Sequence, residues 1–396
     1  MKVLIVRDRE SAGGGIFNYY RSISHHLSVE YQFVDIGQPH HHYGDASSVF
    51  ARITLFRLLG EWTTVFWKCV SFRPDIVHVN PGMDASKRRA LKRDAVTVRI
   101  AKLFRRRVLV FWRGWEGAWV GEPEFPGGNE GFLARSYRAA DTQIVLASRF
   151  KEDLVRWRFS CPVHVETTVA ADECLNAETK ESRPEDPHNL LFLSRVERVK
   201  GVFELMDAFR SLKEIDARYT LTIAGTGPHL EELQAYVRDL SLEDVRFSGY
   251  VSGDSKAACY RSAGMFCFPS IHGEGMPNAV LEAMAAGLPI IASDVGGLKD
   301  FLADGVTGCV LKDEDRSNAG GFDPQRIAAA IAALVEDRER WLMTSGYNRE
   351  FARRHFAAPV VASRLQRIYE AVVSEGGCVA REWNETPVRV FGERPA

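Results

Sequence analysis

Short apolar runs recur along the chain, each closed by glycine or a polar turn and followed by residues with helical spacing. In the first half, Lys2–Arg7, Tyr31–Ile36, Asp75–Asn80, Val108–Trp112, Gln143–Ser148 and Val163–Thr168 read as strands. Between them lie helical stretches such as Ile16–Leu27, the amphipathic segment 50–72 and Arg149–Arg158. In the second half Leu190–Leu193, Tyr219–Gly227, Val245–Val251, Met265–Pro269, Pro289–Ser293 and Asp304–Leu311 continue the pattern, and helices are expected at Ile327–Leu342 and His355–Val373. Continuously apolar strands that alternate with helices predict parallel sheets covered on both faces, an α/β chain. The stretch 176–189, NAETKESRPEDPHN, breaks the alternation with charge and two prolines, which is linker composition.

A chain of 396 residues, 45% of them hydrophobic, is too long for one comfortable core and suits two domains. The expected boundaries are a first domain at 1–175, the linker 176–189, a second domain at 190–354, a last helix at 355–375 and a tail at 376–396. A formal net charge of −1 argues against general nucleic-acid affinity. Its distribution is uneven: residues 1–170 carry 25 Lys and Arg against 17 Asp and Glu, a net of +8 against −9 for the rest. Much of that excess lies in Lys87–Arg107, whose single acid is Asp94. Such a run is either a solvated helix face or a surface for an anionic membrane. The seven cysteines lack C-x-x-C spacing, no apolar run reaches the length of a membrane span, and the N-terminus starts directly as a strand, so a cytoplasmic protein is expected.

The chemistry is concentrated in residues 264–300. There a buried strand, a glycine-rich loop, a helix opening near Pro277–Asn278 and a second strand follow one another. Glu282 is the only charge between Gly275 and Ser293, and it sits among alanines that let neighbouring backbone come close; it is expected to have partners. Glu274 lies in the loop ahead of the helix, where the N–H groups of Gly275, Met276, Pro277's neighbour Asn278 and the helix dipole suit an anionic, polyhydroxylated ligand. The plain alternative is a helix with two solvated glutamates. Arg195 follows a buried strand and Lys200 precedes the next helix, an arrangement suited to a diphosphate but also to a charged turn. The glycine turn at Gly14 and Gly15 after the first strand is equally compatible with plain geometry and with a ligand cradle. His40–His42 lacks a spaced partner and reads as loop.

Glutamate, seven residues, glutamate within EGMPNAVLEAMAAGLPIIASDVGG resembles the signature of the retaining nucleotide-sugar glycosyltransferases of family 4. The resemblance is strongest over Leu190–Leu311 and implies the GT-B architecture, two Rossmann-like domains with parallel sheets facing across a cleft. In that fold the last helix returns to the first domain. It further implies that Arg195 and Lys200 hold the donor diphosphate, that Glu282 binds the ribose and Glu274 the sugar, and that Gly249, Tyr250 and Val251 meet the base. Gly14 and Gly15 would approach the donor phosphates. Many members carry a histidine after the fourth strand; this chain has Arg113 in the loop RGWEGAWVGEPE, with Glu116, as the acceptor-side replacement. The implied reaction is transfer with retention from a nucleotide diphosphate sugar, a UDP- or GDP-sugar, to a glycan, lipid-linked or small-molecule acceptor in cell-surface glycan synthesis. No metal and no cofactor are expected. A sugar-nucleotide epimerase of the same fold and a non-catalytic nucleotide-sugar binder are the rival readings.

Overall fold

The computed structural model describes residues 1–9, 15–37, 48–83, 88–115, 119–175, 186–273, 275–317 and 320–374. They form two compact units, Met1–Thr168 with the chain from Val361 onward, and Val169–Val360. The expected site residues Gly14, Glu116 and Glu274, the loop histidines and the tail fall outside the described residues.

The first unit holds β1 (Lys2–Asp8), α1 (Gly15–Ile23), β2 (Glu30–Ile36), α2 (Ser48–Ser71), β3 (Ile76–Val79), α3 (Arg88–Leu103), β4 (Arg107–Phe111), α4 (Phe132–Tyr137), β5 (Thr142–Val145), α5 (Ser148–Arg156) and β6 (Val163–Val165). Its sheet runs β2-β1-β3-β4-β5-β6, every described pair parallel. Val3–Val6 are wholly buried, as expected of a strand with helices on both faces. The chain leaves β1 for β2 on one side and β3 on the other. The gap between β1 and β3 is therefore a topological switch point, where such sheets bind ligands beyond the carboxyl ends of their strands.

The second unit repeats the plan with α6 (Asp172–Leu175), β7 (Asn189–Leu193), α7 (Val202–Ile215), β8 (Thr220–Ala224), α8 (Leu230–Asp239), β9 (Val245–Gly249), α9 (Gly253–Ser262), β10 (Met265–Phe268), α10 (Asn278–Ala285), β11 (Ile290–Ser293), β12 (Gly308–Leu311), α11 (Pro324–Glu336) and α12 (Arg338–His355). Its sheet order β12-β11-β10-β7-β8-β9 puts the switch point between β7 and β10. Helix α13 (Ala358–Ser374) closes the described chain, and from Val361 it belongs to the first unit.

Three sequence expectations need correcting. The helix expected over Ile327–Leu342 is two helices, because Asp337 leaves helical geometry (φ −102°, ψ 79°) and caps α12 by accepting from the Arg340 amide. The first unit ends at Thr168 rather than 175: α6 packs on α9 and α10, and Ala170 N–H donates to Phe356 carbonyl within the second unit. The basic run is not one solvated face. Arg93 is buried against Asp94 with Nε–Oδ1 at 2.7 Å, Lys102 and Arg107 both pair with Asp141, and Arg99 donates to Ser136. No described helix is long and apolar enough to cross a membrane.

Candidate active site

Two loops of the second unit meet beside its switch point. The first leaves β7 as Ser194–Lys200. Ser194 and Val196 amides donate to Ala224 and Thr226 carbonyls, which extends the sheet past the end of β7. The contact is close enough that a Cβ on Gly225 (φ +142°) would fall 1.9 Å from Ser194 oxygen. Gly201 turns the chain into α7 with φ +72°, and a Cβ there would lie 2.0 Å from Pro269 oxygen. Only glycine meets both demands at once. The second loop leaves β10, and its Ile271 amide donates to Val199 carbonyl at 3.0 Å. That bond, with the Gly201–Pro269 contact, ties the Arg195–Lys200 loop to the segment that leads into α10.

Within this arrangement Lys200 is buried, whereas the Arg195 side chain is largely exposed and pairs with Glu197 at 2.9 Å. Gly275 carbonyl accepts from Gly297 amide at 2.8 Å, so the Asp294–Gly297 turn after β11 holds the glycine loop from its far side. Pro277 opens α10 and Met276 is buried under it. The dipole of α10 thus has its positive end at the loop beside two cations, a setting that stabilises phosphate oxygens. Gly249 takes φ +64° with open space at its Cβ position, Tyr250 is exposed, and Val251 is half-buried at the carboxyl end of β9.

Glu282 has the partners its surroundings implied. It is 5% exposed on α10; its Oε1 takes the Lys256 ammonium at 2.6 Å and its Oε2 the Tyr260 hydroxyl at 3.0 Å. Burial, reinforced by the Glu282 charge, holds Tyr260 well above its ordinary pKa, so it acts as a donor. Lys256 and Tyr260 lie four residues apart on α9 and so share a face. That spacing is legible in the sequence; which glutamate it serves is not. A carboxylate has about four acceptor positions, so these two bonds leave room for ligand hydroxyls.

In the first unit, Arg113 lies just past β4. Its guanidinium stacks on Phe111 at 3.7 Å and Tyr19 at 4.0 Å from the ring centres, and donates to Asn80 Oδ1 through Nη2 at 3.1 Å. Asn80 directly follows β3 and is anchored by donating to Val6 carbonyl. Tyr20 hydroxyl, 3.0 Å away, also donates to Asn80 Oδ1 and lies 3.2 Å from His78 Nε2. His78 Nδ1 lies 2.7 Å from Tyr369 hydroxyl on α13. Since Tyr20 spends its one proton on Asn80, His78 must donate from Nε2 and accept at Nδ1. Burial, with the Arg113 charge, pushes His78 well below the ordinary value of 6.5 and keeps it neutral, as that chain requires. None of these partners was singled out from the sequence. The available signal is His78 and Asn80, two polar residues on one side of an otherwise apolar strand.

Asp153, wholly buried, accepts from Trp115 Nε1 and Gly121 N–H and pairs with Arg156, which pins the Trp-rich loop after Arg113. The acidic pair Asp313 and Asp315 is engaged with Arg316 and Arg326. A pocket lined by Asn189, Thr220, Arg246 and Ser262 opens where β7–β9 begin, the edge opposite the switch point.

Residues 176–351 match the family model for glycosyl transferases group 1. Phosphatidyl-myo-inositol mannosyltransferase of Mycobacterium leprae is 33% identical over 232 residues, 57% of this chain and 58% of the relative. The GDP-mannose-dependent alpha-(1-6)-phosphatidylinositol monomannoside mannosyltransferase of Mycobacterium tuberculosis is 31% identical over 44% of this chain and 45% of its own. The chain thus spans 58% and 45% of the length of these two relatives. Among solved structures, Anabaena HepE in complex with UDP superposes with a TM-score of 0.71 at 14% identity, over 94% of this chain and all of that one. A glycosyltransferase from Rickettsia africae gives 0.71 at 15% identity, over 94% and 99%.

Proposed function

We propose that this chain, whose residues 176–351 belong to the glycosyl transferases group 1 family and whose fold is GT-B, is a retaining glycosyltransferase that uses a nucleoside diphosphate sugar. The observation that carries the reading is the union of the Arg195–Lys200 loop with the loop before α10 at the β7/β10 switch point. Arg195 and Lys200 neutralise the charge that gathers on the departing diphosphate, and the α10 dipole assists. Glu282, held by Lys256 and Tyr260, offers its remaining acceptor positions to the ribose hydroxyls, and the backbone at Gly249–Val251 receives the base. Glu274, adjacent to Gly275 in the sequence, serves the sugar. Retention follows either from front-face attack assisted by the leaving phosphate oxygen or from a covalent intermediate as in retaining glycosidases.

HepE was solved with UDP and the mycobacterial relatives are named mannosyltransferases, so UDP-glucose and GDP-mannose are the first donors to test. Calorimetry with UDP and GDP, followed by transfer assays from both sugars, tests the reading. Binding of neither nucleotide to the folded chain overturns it. The acceptor is read as a glycolipid, and the surface facing the lipid is a composite of two helices. Phe56, Leu59, Phe66 and Val70, spaced three, seven and four residues apart, share the exposed side of α2, with Trp67 beside them. Phe66 meets Phe104 edge-on at 4.8 Å, which brings exposed Leu103 alongside; Arg89, Lys92, Arg99 and Arg105 are the exposed cations of this region. Exposed aromatics flanked by cations suit an anionic membrane interface, with the enzyme peripheral on its cytoplasmic side.

A further inference from the structure

Arg113 carries a permanent positive charge into a setting where the described residues offer no opposite charge. Its rings are Phe111, Tyr19 and Tyr20, its hydrogen-bond acceptor is the neutral amide of Asn80, and no carboxylate pairs with it among the described residues. Glu166, an acid whose charge reaches Tyr19, is bound to Arg364 at 2.8 Å, with Thr167 also held by Arg364. Arg113 is half-buried, so its charge is partly withdrawn from water; such charges are normally paired, and stacking on aromatic faces offsets only part of the cost.

The surroundings also hold the guanidinium in one place. Asn80 cannot rotate, because its amide nitrogen donates to Val6 carbonyl while its oxygen receives Tyr20. Tyr20 is in turn fixed by neutral His78, and His78 by Tyr369. The whole relay is wholly or almost wholly buried. It draws Arg113 from the end of β4 toward Asn80 at the end of β3, beside the β1/β3 switch point, where a ligand of this sheet would lie. A fork of N–H donors held rigidly at a ligand edge, with no counter-charge, matches a planar or tetrahedral oxyanion.

We infer that Arg113 binds an oxyanion of the acceptor, a phosphate ester or a carboxylate, and that Asn80, Tyr20, His78 and Tyr369 are positioning residues for it. The inference rests on the glycosyltransferase reading only in calling the ligand an acceptor. The test titrates the full chain, with and without saturating nucleotide, with glycerol 3-phosphate and glucuronate and with the uncharged glycerol and methyl glucoside. Wild type is expected to bind one of the two anions at least about 10-fold more tightly than its uncharged counterpart, as charge-assisted hydrogen bonds require. Arg113→Gln abolishes that ratio, Arg113→Lys keeps part of it, and Tyr369→Phe, which leaves the charge in place, reduces it a few-fold. Arg195→Ala retains it, which separates this site from the diphosphate loop. Melting temperature and nucleotide affinity of the Arg113 variants serve as fold controls. Equal binding of charged and uncharged probes by wild type, or an unchanged ratio in Arg113→Gln, overturns the inference. Failure of nucleotide binding alone overturns the donor reading and leaves this ratio to be judged by itself.

Discussion

Arg195 and Lys200 share a loop but differ in burial, and that difference separates their variants. Arg195 is exposed, so Arg195→Ala should leave stability unchanged and lower kcat/KM by about 10²- to 10³-fold, the loss of one charge-assisted contact in the transition state. Lys200→Ala should lose activity comparably and also lower the melting temperature, since Lys200 is packed at 8% exposure. Wild-type kcat/KM in Arg195→Ala, with an unchanged circular dichroism spectrum, contradicts the phosphate assignment. Glu282 presents the reverse case, because its carboxylate is already an ion-pair partner. Glu282→Ala strands the Lys256 ammonium, which is 24% exposed, and should cost about 1–3 kcal/mol of stability besides weakening nucleotide binding. Calorimetry with the nucleoside diphosphate and urea denaturation read the two effects separately; unaltered nucleotide affinity removes the ribose role.

At the scale of elements, the strands were legible because burial on both faces demands unbroken apolar runs: β7, β10 and β11 are each read from their own residues. Helix faces were less so. The run Lys87–Arg107 looked uniformly cationic, yet α3 turns Arg93 and Asp94 inward together, and Asp141 at the entry to β5 neutralises Lys102 and Arg107. Asp141 lies 39 residues from Lys102 and 34 from Arg107, outside the run, which is why composition overstated the free charge. The expected membrane contact accordingly shifts toward α2. Phe56→Ser with Trp67→Ser should abolish sedimentation with phosphatidylglycerol vesicles at low salt, where Arg89→Ser with Lys92→Ser should weaken it, each cation contributing about 1 kcal/mol. High salt should reduce the electrostatic part and spare the apolar part. Vesicle binding by the α2 double variant equal to wild type rules out this surface.

At the scale of the whole molecule, the first unit has a built-in sensitivity to acid. Burial depresses His78 well below 6.5 and His164 to about 4. A histidine whose folded-state pKa lies below its unfolded value is neutral in the fold, so the unfolded chain binds more protons as pH drops. The stability is complete above about pH 6.5 and is lost as pH falls from there toward the folded values, at up to about 1.4 kcal/mol per pH unit for each group. Urea midpoints between pH 7.5 and 5, above the main carboxylate range, should therefore decline. His164→Asn should flatten the decline, and a wild-type midpoint independent of pH over this window contradicts the burial of His78 and the partial burial of His164.

The sequence by itself determined the two α/β units, the positions of nearly all strands, and the loops that carry Arg195, Lys200 and the Glu282 helix. These depend on local apolar periodicity and on glycines that only certain backbone conformations require. Tertiary structure decided what each charged or polar side chain touches. Lys256 is 26 residues from Glu282 and Tyr369 is 291 from His78. Pairings at such separation leave no periodic trace, because they arise from the order in which strands enter a sheet and from which helix then covers them. The same cause explains why Arg113 read only as a substitution in a motif, while the fold shows a charge held in place by six buried residues without an opposite charge among the described ones.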